Sequence, residues 1–285
     1  MAQQIKNVVL MGAGGTLGTH VLKALLEAKF NVSVLTRQSS KAAFPSTVRV
    51  FQTDYSESSL VEILTGHDAV VSTVGGGGLK QQQQVIDAAV RAGVKRFIPS
   101  EYGIDVCHPK AIEIVPFFAG KKQINDYLRS KQGEGLEWTS IGTGPFLDWV
   151  SNRENFKFHL GRLVLTTTMR TIGKAIASVL VHSAETVNKN IWVQQFRTNQ
   201  KELLEILEGQ TDSKWNATLV PADEMIATGR HKLSNGQGGV FQLLQAAMFK
   251  GGCGSDFETE YEVHNGLLGL PTDDLKKTVA DILVS

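Results

Sequence analysis

The chain has 285 residues, 29 lysines and arginines against 28 aspartates and glutamates, and 42% hydrophobic residues. That length is ample for a buried core in one large domain or two unequal lobes, with no metal or disulfide staple required. A net charge of +1 excludes nucleic-acid binding by bulk electrostatics and gives no support for attachment to anionic membranes. Cys107 and Cys253 form neither a C-x-x-C nor a framework, so a reducing compartment is the default and a cytoplasmic location is expected. Strand-like sequence begins at Ile5, which leaves no room for a signal peptide, and no run of about 18 apolar residues exists to span a membrane.

Ile5–Met11 is an apolar run that ends at glycines and reads as a buried strand. Thr16–Lys29 carries Leu17, Val21, Leu22, Leu25 and Leu26 at helical spacing. Strands follow at Asn31–Leu35 and Thr47–Gln52, a helix at Ser58–Leu64, and a strand at Asp68–Val74 that runs into four glycines. Gln82–Ala92 is helical, Arg96–Pro99 a strand, Phe117–Ser130 helical and Glu137–Ile141 a strand. This alternation predicts an α/β fold of the Rossmann type, a doubly wound parallel sheet with helices on both faces. Beyond residue 150 the rhythm changes. Gly161–Thr167 and Asn190–Val193 read as strands, Thr171–His182 and Gln200–Glu208 as helices, and the sequence from Ala222 onward as mostly helical. The expected division is a dinucleotide-binding domain at 1–150, with strands returning near 161–193, and a smaller, mostly helical substrate lobe at 151–285.

Between the first strand and first helix stands Gly12-Ala13-Gly14-Gly15-Thr16-Leu17-Gly18. Its pattern is G-x-x-G-x-x-G, because a G-x-G-x-x-G would need glycine where Leu17 stands. Gly12 permits the turn out of the strand, Gly15 lets backbone approach a pyrophosphate, and Gly18 lets the helix pack closely. The helix N-terminus then offers free N–H groups and a positive dipole end to phosphates. The end of the second strand selects the dinucleotide. An NAD site places a carboxylate there for the ribose 2′-OH. This chain has Thr36-Arg37, with Lys41 four residues later. A guanidinium pairs with a 2′-phosphate and stacks on adenine, so NADP(H) is favoured.

For the chemistry, short-chain dehydrogenases use a Tyr-x-x-x-Lys pair on the helix after the fifth strand, the lysine holding the nicotinamide ribose and lowering the tyrosine pKa. Two registers are available. Tyr127…Lys131 matches the letters, and Phe117…Lys121 matches the place with phenylalanine where the acid would be. Geometry favours Lys121. The site faces the carboxyl ends of the strands, and Lys131 lies about 15 Å further along the helix at ~1.5 Å per residue. Seven scattered histidines show no metal-ligand spacing, so no metal is expected. Tyr102 is a candidate catalytic acid. With His108, on the same loop, it also stands in reach of a substrate, and Phe146, Trp149 and Phe249 are candidate pocket walls.

The glycine loop, Thr36-Arg37, Asp54-Tyr55, Lys121, Thr143-Gly144-Pro145-Phe146 and above all Ala92-Gly93-Val94-Lys95-Arg96-Phe97-Ile98-Pro99-Ser100-Glu101-Tyr102-Gly103 resemble the NmrA-like, isoflavone-reductase-like group of atypical short-chain dehydrogenases. Leu267–Asp274 (LLGLPTDD) resembles fungal members, so the likeness covers nearly the whole chain. The resemblance implies an extended Rossmann domain binding NADP(H), a small-molecule pocket under a C-terminal lobe, and a lysine at 121 with no partner tyrosine at 117. Carried over by position, it implies dinucleotide contacts from Gly12, Ala13, Gly14, Gly15, Thr16, Leu17 and Gly18, and from Arg37, Lys41, Asp54 and Tyr55. It implies further contacts from Thr73, Val74, Gly75, Gln82, Ser100, Lys121, Thr143, Gly144, Pro145 and Phe146. One departure is Thr171-Ile172-Gly173, where the family often has aspartate before the Ile-(Gly/Ala).

The leading expectation is an NADPH-dependent reductase of a small apolar aromatic or heterocyclic substrate of the kind met in secondary metabolism, acting on C=O, C=N or activated C=C. A redox-neutral, NADP-assisted rearrangement or cyclisation stays open. So does a reading of another class, an NADP(H)-sensing regulatory protein that binds without turnover. The oligomeric state is not legible in the sequence.

Overall fold

Val8, Val9, Leu10 and Met11 are apolar on successive positions because the strand that carries them is covered on both faces. In the computed structural model, which describes residues 4–148, 163–215 and 218–284, that strand is β1 (Asn7–Met11). It is followed by α1 (Thr16–Glu27), β2 (Asn31–Arg37), β3 (Arg49–Thr53), α2 (Glu57–Leu64) and β4 (Ala69–Ser72). A 3-10 turn at Gly76–Gly78 leads into α3 (Leu79–Arg91), then β5 (Arg96–Ile98), α4 (Pro109–Ile114), α5 (Phe117–Ser130) and β6 (Glu137–Gly142). The remainder is β7 (Leu163–Thr166), α6 (Met169–Val181), β8 (Lys189–Trp192), β9 (Phe196–Asn199), α7 (Gln200–Thr211), α8 (Ala222–Ser234), α9 (Val240–Lys250), α10 (Phe257–Glu260) and α11 (Leu275–Leu283).

The main sheet has seven strands in the order β3-β2-β1-β4-β5-β6-β8. Pairing from β3 through to β6 is parallel, with Val8 opposite Val32 on one side and Ala69 on the other. This is the doubly wound order, in which the direction of strand progression reverses between β1 and β4. Of the strands expected in the later sequence, β8 joins the sheet and β7 does not. β7 pairs antiparallel with β9, in the register Leu163↔Asn199. β9 was not expected, because Phe-Arg-Thr-Asn is too short and polar to show a strand period.

Contacts group the described residues into two units. One falls within Met1–Glu101, Gly120–Ile141 and Met169–Ile191, the other within Tyr102–Ala119, Gly142–Thr168 and Trp192–Ser285. These groups follow packing rather than chain order. In the first unit, Val9, Met11, Val70, Val85, Ile86, Phe97, Ile124 and Leu128 form the core between sheet and helices. Its sheet base is pinned by charge. Arg96, 1% exposed, donates from Nη1 to Thr139 Oγ1 at 2.9 Å and from Nη2 to Glu137 Oε2 at 3.0 Å and the Ser183 carbonyl at 2.7 Å. Lys95 beside it pairs with Asp68 at 2.8 Å. In the second unit, α4, α8 and α9 enclose Ile104, Ile114, Phe118, Met225, Leu243 and Ala246, while Leu147, Phe196, Leu203, Leu207 and Val279 form a further cluster.

Candidate functional site

The reversal between β1 and β4 brings the loops that follow them side by side. Thr73 donates its N–H and its Oγ1 hydroxyl to the Met11 carbonyl at 2.9 and 3.0 Å. That leaves no room for a side chain at Gly12. Its φ is +83° and a Cβ there would stand 2.8 Å from the Thr73 backbone and hydroxyl. A Cβ on Gly18 would stand 2.1 Å from the Gly12 carbonyl oxygen, so the first turn of α1 presses directly onto the loop. Gly15 closes that loop by donating its N–H to Gly12 O at 2.9 Å. It then serves as the N-cap of α1 with no side-chain cap, and no acidic residue occupies the first turn. The first N–H groups of α1 thus have no side-chain partner, and the positive end of its dipole is uncompensated.

These loops form one wall of a cleft of about 460 Å³. Gly12–Gly15, Leu35, Thr36, Arg37, Ser40, Ala42, Phe44, Tyr55, Thr73–Gly75, Gly77, Gly78 and Gln81 line it, and none of these is acidic. Uncapped N–H groups on one wall and an arginine at the end of β2 fit a dinucleotide with a 2′-phosphate. Tyr55 has a left-handed backbone, φ +62°, held by its N–H on Thr53 Oγ1 at 2.9 Å. Burial raises its phenol pKa and the Arg37 guanidinium opposes that shift.

The other expected dinucleotide contacts around this cleft are placed differently. Leu17 and Gly18 are buried under the loop, and Thr16 is exposed at the helix start. Lys41 is exposed and does not line the cleft. Asp54 is exposed, and the Ser56 N–H at 2.8 Å holds its carboxyl below the usual carboxylate range. Ser40, Ala42, Phe44, Gly77, Gly78 and Gln81 were not singled out in the sequence. The glycine run after β4 was a usable signal for two of them, whereas the 38–46 loop carries no motif.

At the end of β5, Ser100 uses all of its polar groups. Its N–H donates to Gln82 Oε1 at 2.9 Å and its hydroxyl to the Val74 carbonyl at 2.8 Å. Its carbonyl accepts from Lys121 Nζ at 2.7 Å, and the Glu101 carbonyl accepts from the same ammonium at 3.0 Å. Lys121 is partly buried on α5. Burial lowers its pKa from the ordinary lysine value, and the Glu101 carboxylate, itself 5% exposed, pulls the other way. Glu101 was quoted in the sequence only as part of a segment, and no residue pattern pointed to this pairing.

Further along α5 the tyrosine and lysine with the familiar spacing have other partners. Tyr127 donates its hydroxyl to Asp87 Oδ1, and Lys131 pairs with Glu134 at 2.9 Å. The Asp87 bond raises the phenol pKa, the opposite of what a catalytic tyrosine requires.

The remaining candidates fall in the second unit. Tyr102 is buried with φ +27°, a conformation that bulky residues rarely hold. His108 is half-buried, with Nε2 3.9 Å from Glu260 Oε2. Thr143 and Gly144 donate their N–H groups to Gly103 O at 2.9 and 3.1 Å. The hydroxyls of Thr167 and Thr166 donate to the carbonyls of Thr143 and Pro145, each at 2.7 Å, and Phe146 bridges to Thr167. The segment 143–146 is thus held through its backbone. Phe249 is half-buried on α9, and Trp149 lies outside the described residues. Among the described residues no helix is long and apolar enough to cross a membrane, and no group of three or more His, Cys, Asp or Glu could hold a metal ion.

Comparison with known proteins gives a consistent picture. Residues 4–148 match the model of the NmrA-like family. The chain is 36% identical over 294 residues to oxidoreductase aprR of Aspergillus flavus, covering 97% of this chain and 98% of that protein. It is 30% identical over 288 residues to oxidoreductase poxI of Penicillium oxalicum, covering 95% and 92%. Among solved structures it is similar to leucoanthocyanidin reductase of Vitis vinifera in a ternary complex, with a TM-score of 0.81, 21% identity and coverage of 98% and 100%. It is also similar to AtPrR2 with NADP+ and (+)pinoresinol, with a TM-score of 0.78, 20% identity and coverage of 99% and 100%. At these identities the structural likeness is one of fold.

Proposed function

The chain belongs to the NmrA-like family, and from that premise we propose that it is an NADP(H)-dependent oxidoreductase acting on a small apolar aromatic or heterocyclic molecule. Support comes from full-length relatives named as oxidoreductases, from a fold neighbour described with NADP+, and from an acid-free cleft with Arg37 at its edge. The observation that carries the reading is Lys121, held on the Ser100 and Glu101 carbonyls at the end of β5 with Phe117 in the position of the usual acid. In this reading residues 151–285 supply most of the substrate lobe.

When bound, the reduced dinucleotide supplies the hydride. The α1 N-terminus and glycine loop would hold its pyrophosphate, and Arg37 would pair with its 2′-phosphate. An ammonium has three donors. Two of those on Lys121 go to the carbonyls, which leaves one for a ribose hydroxyl or for the substrate oxygen or nitrogen that gains negative charge. Phe117 carries no proton, so protonation falls to Lys121, Tyr102, water or the substrate itself. A lysine whose pKa burial has lowered gives up its proton more readily near neutrality.

Transfer of deuterium from 4-deuterated NADPH to a panel of aromatic carbonyls, imines and enones tests the reading. Labelled product is the expected result, and retention of the label in the cofactor pool with rearranged product marks the redox-neutral variant. Absence of any transfer, together with NADPH- and NADP+-bound forms that hold a protein partner with different affinities, would replace the enzyme by a sensor.

A further inference from the structure

We propose that Gln82 is a positioning residue for Lys121, acting through the Ser100 peptide; this rests on the reading of Lys121 as the site lysine. Gln82 sits in the first turn of α3 and is 0% exposed, on the face that also buries Val85 and Ile86. A polar side chain is out of character there. Its Oε1 accepts the Ser100 N–H at 2.9 Å, and its Nε2 has no hydrogen-bond partner among the described residues. A buried amide with one unsatisfied end is unfavourable; an apolar side chain of the same length would remove that orphan and leave the buried Ser100 N–H as another. What distinguishes Gln82 from an apolar residue is the single acceptor it presents to the Ser100 peptide.

That acceptor fixes the peptide that aims the lysine. Glu101 N–H donates to Pro99 O at 2.9 Å, so Pro99–Glu101 is a tight three-residue turn in which neither peptide plane can rotate alone. The Ser100 hydroxyl ties the turn to Val74, in the wall of the cleft. Gln82 ties it to α3, and the two carbonyls on its far side receive Lys121 Nζ at 2.7 and 3.0 Å. Loss of the Gln82 acceptor leaves the buried Ser100 N–H without a partner. The turn then rotates to find another, and both carbonyls move off the ammonium.

The test uses the cofactor-free protein and a pulse of acetic anhydride. Acetylation of Lys121 is read by mass spectrometry against the exposed Lys41 as internal reference. Carbonyl acceptors favour the charged, unreactive form, so their loss raises labelling, and greater exposure acts in the same direction. In Gln82→Met, and in Gln82→Asn, whose amide is one methylene too short, the Lys121-to-Lys41 ratio is expected to rise by about fivefold or more. In Gln82→Glu, which presents an oxygen in the same place, it should stay within about twofold of the parent. An unchanged ratio in Met and Asn overturns the proposal, and so does loss of the fold in both, which would make Gln82 a stability residue. The underlying reading is judged separately. NADPH should protect Lys121 of the parent protein from acetylation, and failure to protect removes Lys121 from the site whatever the variants show.

Discussion

At the β1–α1 turn the backbone N–H groups of the first helical turn have no side-chain partner, whereas at the end of β5 every polar group of Ser100 is engaged. The first region is open and depends on glycines. The second is closed and depends on a glutamine, a serine and a lysine locked to one another. The difference follows from what each would recognise. A pyrophosphate is a large, doubly charged group that several weak donors and a dipole can hold without side chains. A reacting centre needs one donor at one place, and a long lysine side chain reaches that precision only when its other hydrogens are already held.

The contrast is broken most strongly at the open region. Gly15 has φ −83° and a Cβ there would meet Gly12 O at 3.2 Å, a tight contact that a small backbone shift relieves, so Gly15→Val should still fold, with a modestly lowered melting temperature. The same branched side chain would stand where the proposed phosphates bind, and affinity for NADPH and NADH alike should fall by on the order of a hundredfold or more, an expected loss of about 2.7 kcal/mol. Fluorescence titration beside a thermal melt checks both halves; intact binding would remove the phosphate site from this loop. At the closed region, Lys121→Ala should lower kcat by on the order of a hundredfold, with a smaller loss of NADPH affinity because the loop and Arg37 remain. Its lowered pKa sets the sign of the pH profile. The ammonium deprotonates at a pH below the ordinary lysine range, so kcat of the parent enzyme should fall on the alkaline side before that range is reached.

A smaller effect sharpens the distinction. Arg37→Ala should erase a preference for NADPH over NADH of about tenfold, or ~1.4 kcal/mol, and leave NADH binding nearly as it was. Equal affinities in the unaltered protein would show that the guanidinium faces solvent. Smallest of all are changes at the far end of α5. Tyr127→Phe and Lys131→Ala should each leave hydride transfer within about twofold, since their partners are Asp87 and Glu134. Abolition of transfer by Tyr127→Phe would move the chemistry to that end of the helix.

The segment from Lys95 to Glu101 shows how much the sequence carried. Its apolar centre, Phe97-Ile98, and the turn residues on either side read as a buried strand, and β5 is one. Which of its polar residues hold the fold and which hold the site was not readable. Lys95 and Arg96 fasten the strand's start to Asp68 and Glu137, while Ser100 and Glu101 hold Lys121 at its end. The letters are the same kind of letters, and the difference lies in which distant residues meet them. Gln82 makes the same point from the other side, since it was placed among the dinucleotide contacts only by the family resemblance and its acceptor is taken by Ser100, 18 residues later.

Sequence by itself determined the order of strands and helices from β1 to β6 apart from the short α4, the glycine loop, the absence of an acid at the end of β2, and the place of Lys121 on its helix. Each is a local property, set by periodicity, by backbone conformations only glycine tolerates, or by one position in a strand-to-helix turn. The tertiary structure decided that Tyr127 answers to Asp87, that β7 pairs with β9 rather than with the sheet, and that Phe44 and Ala42 close over the glycine loop. Those outcomes depend on contacts between residues up to 40 apart in the chain, as between Tyr127 and Asp87. No local pattern encodes such a contact, because the energy of a buried hydrogen bond is fixed by what stands opposite it and not by what precedes it in sequence.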